Sequence, residues 1–396
     1  MRIFGIVAEY DPFHSGHAYL LARARERLGR DAAAVAMMSG NWTQRGKCAL
    51  ADKWTRARLA LLGGVDLVLE LPTVWAASSA QSFACGAVDL LCACGVIDTL
   101  CFGSECGDLD ALKAVAECLD GEEYAAALRR HLERGGGFAA CRAAAVSDVM
   151  GRRAGLLLSK PNNNLGVEYL CALRARGSGI EPVTVLRRGA GHDETAAGEF
   201  CSASYLRGEL SCGRWEAARY LPEGGEAVLR GAPLADPARI ERAMLARLRT
   251  MTAEDWAALP DAGEAEGLPH RLERAGRACR DVEEFFTLAK TKRYARARLD
   301  RLALWAYLGL SADYVPQTPP YLRVLGMSER GRQVLAQMRK SATLPVIVKP
   351  THAKRLAGAG RSLAELEARC TDLYDLCLDT IPAPSREWRE NPVLLP

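Results

Sequence analysis

The sequence predicts an α/β protein, with a parallel sheet covered by helices and then a mainly α-helical C-terminal region. Three observations carry this. The first hundred residues alternate short, β-branched apolar runs with segments of helical spacing. From about residue 108 to 175 the pattern is helical and alanine-rich, without a strand signal. After about residue 223, Gly224, Gly225, Gly231, Pro233 and Pro237 mark a boundary loop, and mostly helical patterns follow. The expected division is therefore residues 1–222 and residues 223–396.

Strands are expected at Ile3–Glu9, Ala33–Met38, Val65–Leu71, Val96–Phe102 and Pro182–Leu186. Helices are expected at His17–Leu28, Ala51–Leu62 and Ser78–Ala93, and again from Ser202, a suitable N-cap. In the second half, Asp236-Pro237 caps a helix, Thr252–Leu259 and Leu268–Leu308 are helical, and Ser328 caps a helix to Lys340. Leu344–Val348 reads as a short strand and Leu363–Leu378 as a helix.

Composition narrows the function classes. With 49% hydrophobic and 25% charged residues among 396, the chain suits two or three packed domains and no bulk disorder. No apolar stretch has membrane-spanning length, and the first residues run directly into a strand pattern without a signal sequence. A cytoplasmic location without membrane association is expected. The fourteen cysteines are scattered, many inside apolar runs, and form no pair of C-x-x-C knuckles, so no metal-ligating set is expected.

The chemistry concentrates where the first strand ends. Tyr10-Asp11-Pro12-Phe13-His14-Ser15-Gly16-His17 leads straight into a helix. Open α/β sheets bind ligands beyond the carboxyl ends of their strands. A helix N-terminus offers free N–H groups and a positive dipole end to phosphate. Two imidazoles flanking a glycine can donate hydrogen bonds to phosphoryl oxygens as charge builds on them. His14 and His17 are the candidate catalytic residues, acting on the α-phosphate of a nucleotide.

At this point the chain resembles the bacterial family of tRNA(Met) cytidine acetate ligases, within the H-x-G-H nucleotidyltransferase superfamily. The resemblance rests on Gly5–His17, Met38–Gly46, Asp52–Ala57, Asp66–Pro72 and Phe102–Glu105. It continues through Pro161–Asn163, Arg187–Asp193, Ser202–Ser204 with Arg207, Lys290–Tyr294 and Pro319–Gly326. It implies a Rossmann-like (HUP-type) nucleotidyltransferase domain over residues 1–222 and a helical tRNA-binding region over 223–396. It also implies a reaction: acetate attacks ATP to give acetyl-adenylate, and the acetyl group passes to N4 of the wobble cytidine of elongator tRNA(Met). Mg²⁺ is expected from triphosphate chemistry.

The resemblance further implies site residues. ATP contacts fall on Val7, Ala8, Glu9, Tyr10, Asp11, Pro12, Phe13, His14, Ser15, Gly16, His17, Ala18, Tyr19 and Leu20. Others fall on Gly103, on Asn162 or Asn163, on Arg187, and on Ser202 and Ser204. His192 and Asp193 are candidates for ordering the loop after Arg187. Arg45 is a candidate for neutralising phosphate or acetate charge, and for Lys53 and Arg56 phosphate and water are equally expected partners. Asp11 stands where the family usually has asparagine, which places extra negative charge near the triphosphate or a ligand for Mg²⁺.

A basic run, Lys290, Lys292, Arg293 and Arg296, with Arg323 extending it, reads as a phosphate-tracking surface for RNA. An anticodon loop presents an unpaired base without melting a duplex. The competing reading is a small-molecule nucleotidyltransferase acting on a phosphorylated metabolite; a third is a non-catalytic RNA-binding protein. The basic helical half favours the first, and the intact histidine motif disfavours the last.

Overall fold

The computed structural model describes residues 1–188, 196–263 and 267–395. Five strands match the sequence expectation: β1 (Ile3–Ala8), β2 (Ala33–Ser39), β3 (Leu67–Leu71), β4 (Thr99–Ser104) and β5 (Glu181–Leu186). They pair in parallel in the order β3-β2-β1-β4-β5. The reversal of order at β1 creates a switch point, where the crevice for a ligand opens. Both faces of β2 are buried. Ala33, Val35 and Met37 enter one core, and Ala34, Ala36 and Met38 enter the other. Period-two packing on two covered faces is why this strand reads as an unbroken apolar run.

Helices cover both faces. Ser15–Leu28, Lys53–Leu62 and Ala203–Ser211 contribute to one core, and Ala80–Ala93 and Pro161–Ala175 to the other. A two-residue hairpin, β6 (Ala196–Ala197) with β7 (Phe200–Cys201), precedes the helix Ala203–Ser211.

The second half departs from expectation in one respect. It is mainly helical, but it also completes the sheet. β8 (Leu322–Met327) lies antiparallel against β3, with β9 (Val346–Ile347) and β10 (Val393–Leu394) parallel to β8. Residue 222 is therefore no clean boundary: the edge of the first domain is built from the far end of the chain. The expected helical stretch Leu268–Leu308 is three helices, Leu268–Ala278, Val282–Ala289 and Arg296–Leu308. The basic residues Lys290 to Arg293 lie in the loop between the last two, not on a helix.

Candidate active site

β1 ends at Ala8, and the chain turns sharply. Tyr10 adopts φ +45°, a left-handed conformation that costs a non-glycine residue energy. The turn seats the Tyr10 ring against Phe13 and edge-on to His17, with centroids 5.0 and 4.8 Å away. His14 is the N-cap of the helix Ser15–Leu28. Its Nδ1 accepts from the Gly16 N–H at 3.0 Å, and its own N–H donates to His17 Nδ1 at 3.2 Å. The two imidazoles lie 3.9 Å apart, 31° from parallel. Gly16 is required because a Cβ there would lie 2.9 Å from the His14 ring.

These bonds fix the tautomers. Each Nδ1 is an acceptor, so in each neutral ring the proton sits on Nε2. Both rings are held neutral. Burial, with Arg187 and Arg207 adding to it, pushes His14 down to about 3. Burial, then the neighbouring His14 and Arg187, pushes His17 well below its ordinary value. The motif is thus a pair of neutral Nε2–H donors at a helix N-terminus.

Both histidines line a cavity of about 350 Å³ at the switch point, a size suited to a small ligand. Of the expected residues, Val7, Ala8, Glu9, Tyr10, Asp11, Leu20, Arg45, Gly103, Asn162, Arg187 and Ser202 also line it. The two asparagines are placed differently. Asn162 faces the cavity, while Asn163 is buried and its Oδ1 accepts from the N–H groups of Glu105 and Cys106.

Other expected residues lie off the cavity wall. Pro12 and Phe13 are buried behind the motif, and neither lines the cavity. Nor do Ser15, Gly16, Ala18, Tyr19 and Ser204. The Ser15 hydroxyl donates to the Glu199 carbonyl, and Ser204 accepts from Arg207. Lys53 and Arg56 face neither phosphate nor water. Arg56 is fully buried and donates to the carbonyls of Glu9, Ser39, Gly40 and Ala51, tying the ends of β1 and β2 together. Ser39, Gly40 and Asn41, at the end of β2, are buried. A Cβ on Gly40 would lie 2.7 Å from Glu70 Oε1. The Asp11 carboxylate accepts from the Leu50 N–H at 2.7 Å and pairs with Arg207 at 3.4 Å, so the protein already neutralises its charge. His192 and Asp193 lie outside the described residues.

Gln44, in the polar segment expected at the ligand edge after the second strand, and Arg207, which the resemblance sets with Ser202 and Ser204 near distal phosphates, also line it; Ala80, Phe83, Phe102, Leu165 and Tyr169 line it too and had no expected role there. Ala80, Phe83 and Tyr169 read as ordinary positions of apolar helices, and nothing in a linear pattern separates a core face from a cavity wall.

On the expected RNA surface, Lys290, Lys292 and Arg293 are exposed. Arg296 is engaged, pairing with Glu283 at 2.7 Å and Asp300 at 2.9 Å over the Phe286 ring. Arg323 is excluded from any surface: it is 5% exposed and pairs with Glu387 at 3.2 Å inside the protein.

Comparison with known proteins identifies the family. The family model described as HIGH Nucleotidyl Transferase matches residues 1–387. The tRNA(Met) cytidine acetate ligase of Syntrophotalea carbinolica is 39% identical over 98% of this chain and 97% of its own. That of Syntrophomonas wolfei is 35% identical over 98% of each. The crystal structure of apo Thermotoga maritima TmcAL covers all of both chains at 33% identity with a TM-score of 0.92. The same protein bound with alpha-thio ATP gives 0.90 at 32% identity. The family model and these relatives cover nearly the whole chain, and the chain belongs to the HIGH nucleotidyltransferase family, among its tRNA(Met) cytidine acetate ligases.

Proposed function

We propose that this chain activates acetate with ATP and transfers the acetyl group to N4 of the wobble cytidine of elongator tRNA(Met), in the cytoplasm. In the first step an acetate oxygen bonds to the α-phosphorus, the bond from that phosphorus to the bridging oxygen breaks, and pyrophosphate leaves. In the second, the cytidine amine attacks the acyl carbon, AMP leaves with the acyl C–O bonding pair, and the amine gives up a proton. The observation that carries this reading is the pair of neutral Nε2–H donors, His14 and His17. As the α-phosphoryl oxygens gain charge in the transition state, donors already fixed in place stabilise them without reorganising. Arg45 and Arg187 line the same cavity and supply positive charge.

Among the described residues no cluster of three His, Cys, Asp or Glu side chains is placed to hold a metal ion. The two carboxylates lining the cavity, Glu9 and Asp11, are bonded to Gln44 N, and to Leu50 N and Arg207. The residues present do not form a cation cage, so Mg²⁺ is expected only as part of its complex with ATP.

The exposed Lys290, Lys292 and Arg293 suit the phosphates of the tRNA. Their loop leads into the helix Arg296–Leu308, and Gly46, next to Arg45, abuts the backbone of Asp300 and Arg301 at its start. The basic loop and the cavity mouth are thus joined through one packed contact. No helix among the described residues is long and apolar enough to cross a membrane.

One incubation tests the reading. The enzyme is mixed with ATP, Mg²⁺, labelled acetate and bulk tRNA, and both label and pyrophosphate are followed. Label entering tRNA is expected. Pyrophosphate release that depends on a phosphorylated metabolite, with no labelled RNA, would replace this reading with metabolite nucleotidyl transfer.

A further inference from the structure

The cavity is lined by Gly103, Asn162, Arg187, Ser202 and Arg207, and also by Gln44 from the loop after β2, Ala80 and Phe83 from the helix Ala80–Ala93, and Tyr169 from the helix Pro161–Ala175. Two polar groups in this lining have no hydrogen-bond partner among the described residues: Tyr169 Oη and Gln44 Nε2. Tyr169 is 2% exposed. A buried donor left unpaired is costly, so such groups need an account.

The Tyr169 ring is anchored by packing against Phe102, with centroids 5.8 Å apart, and the Gln44 backbone N–H donates to Glu9 Oε1 at 2.7 Å.

We propose that Tyr169 Oη and Gln44 Nε2 are the donors of a subsite for a small monocarboxylate, which takes the acetate of the reaction proposed above and rests on that reading. Donor type and wall chemistry together define the ligand. Two neutral donors suit one carboxylate oxygen and leave the other free to attack the α-phosphorus. A guanidinium fork would engage both oxygens and blunt the nucleophile. Ala80 and Phe83 offer an apolar wall to a short aliphatic tail. Burial pushes the Glu9 carboxyl above its ordinary range.

The test is acetate-dependent exchange of labelled pyrophosphate into ATP, with Tyr169→Phe and Gln44→Met. Tyr169→Phe keeps the ring and its packing on Phe102, so the fold is expected to survive. Each variant should raise the acetate KM about tenfold, the size of one lost hydrogen bond, with the ATP KM and kcat unchanged. An acetate KM within twofold of the parent in both variants, or an equal rise in the ATP KM, overturns the subsite. A second measurement separates this proposal from the reading beneath it: carboxylate binding followed by saturation-transfer NMR with acetate and a nonhydrolysable ATP analogue. Acetate that binds the parent and not Tyr169→Phe supports the subsite even if no exchange occurs, in which case only the adenylation reading falls. Acetate that fails to bind the parent overturns the subsite.

Discussion

Two polar assemblies sit at the carboxyl edge of the same sheet, and they are built on opposite terms. Around Lys53, charge is matched with charge. Its ammonium, 1% exposed, pairs with Glu70 and Glu387 at 2.6 Å each. Arg323 pairs with Glu387, and Glu367 accepts from the Thr73 N–H at 2.7 Å and hydroxyl at 2.8 Å. Burial disfavours the Lys53 charge, yet Glu387 and Glu70 outweigh it and hold the ammonium above its ordinary range. Around His14, donors outnumber partners. Two Nε2–H groups, Tyr169 Oη and Gln44 Nε2 line one cavity. The contrast teaches how to tell a structural cluster from a binding one. The first satisfies itself, and the second is complete only with a ligand.

The comparison is open to attack, most severely at Lys53. Lys53→Met should destabilise the fold by about 3–5 kcal/mol, because it leaves buried carboxylates uncompensated. Urea denaturation reads this, and a loss below about 1 kcal/mol would mean the cluster is not structural. His17→Ala should leave stability nearly intact and lower acetate-dependent pyrophosphate exchange by about 10²–10³-fold, the scale of one lost transition-state donor. Survival of tRNA binding in that variant sharpens the distinction; equal loss of both activities would erase it.

Smaller effects follow. Lys292→Ala with Arg293→Ala should weaken tRNA binding about tenfold and flatten its salt dependence while sparing adenylate formation. Unchanged affinity in a filter-binding titration would remove that loop from the RNA surface. The last effect concerns acid. Unfolded imidazoles protonate near their ordinary 6.5, whereas folded His14 resists until about 3. Below 6.5 the unfolded chain therefore binds the proton first, and stability falls as pH drops toward 3, by at most about 1.4 kcal/mol per unit for this residue. His14→Gln should shallow that slope, and a slope identical to the parent's would show that the ring is not held neutral.

How much of this was legible depends on what each residue does. The parallel strands were readable because both faces are buried and the residues between Ala33 and Met38 say so without interruption. The histidine motif was readable because strand, loop and helix follow one another in the chain. β8 was missed for one reason: Arg323 breaks its apolar run and reads as a surface charge. The same misreading placed Arg323 on the RNA face. Its partner Glu387 is 64 residues away, and no local pattern reports such a pairing. Tyr169 was passed over because a residue's lack of a partner has no signature in sequence.

The placement of β8 and β10 also bears on how the molecule comes into being. A ribosome releases the first 222 residues long before Glu387, and until then Lys53 would have to bury its charge against Glu70 alone, beside an uncovered β3. The nucleotide pocket, whose turn is braced by the same helix through Arg56, is thus expected to mature only once the final dozen residues have emerged. A fragment ending near residue 222 should accordingly be a poor stand-in for the catalyst, and nascent chains should gain ATP-binding ability late and abruptly.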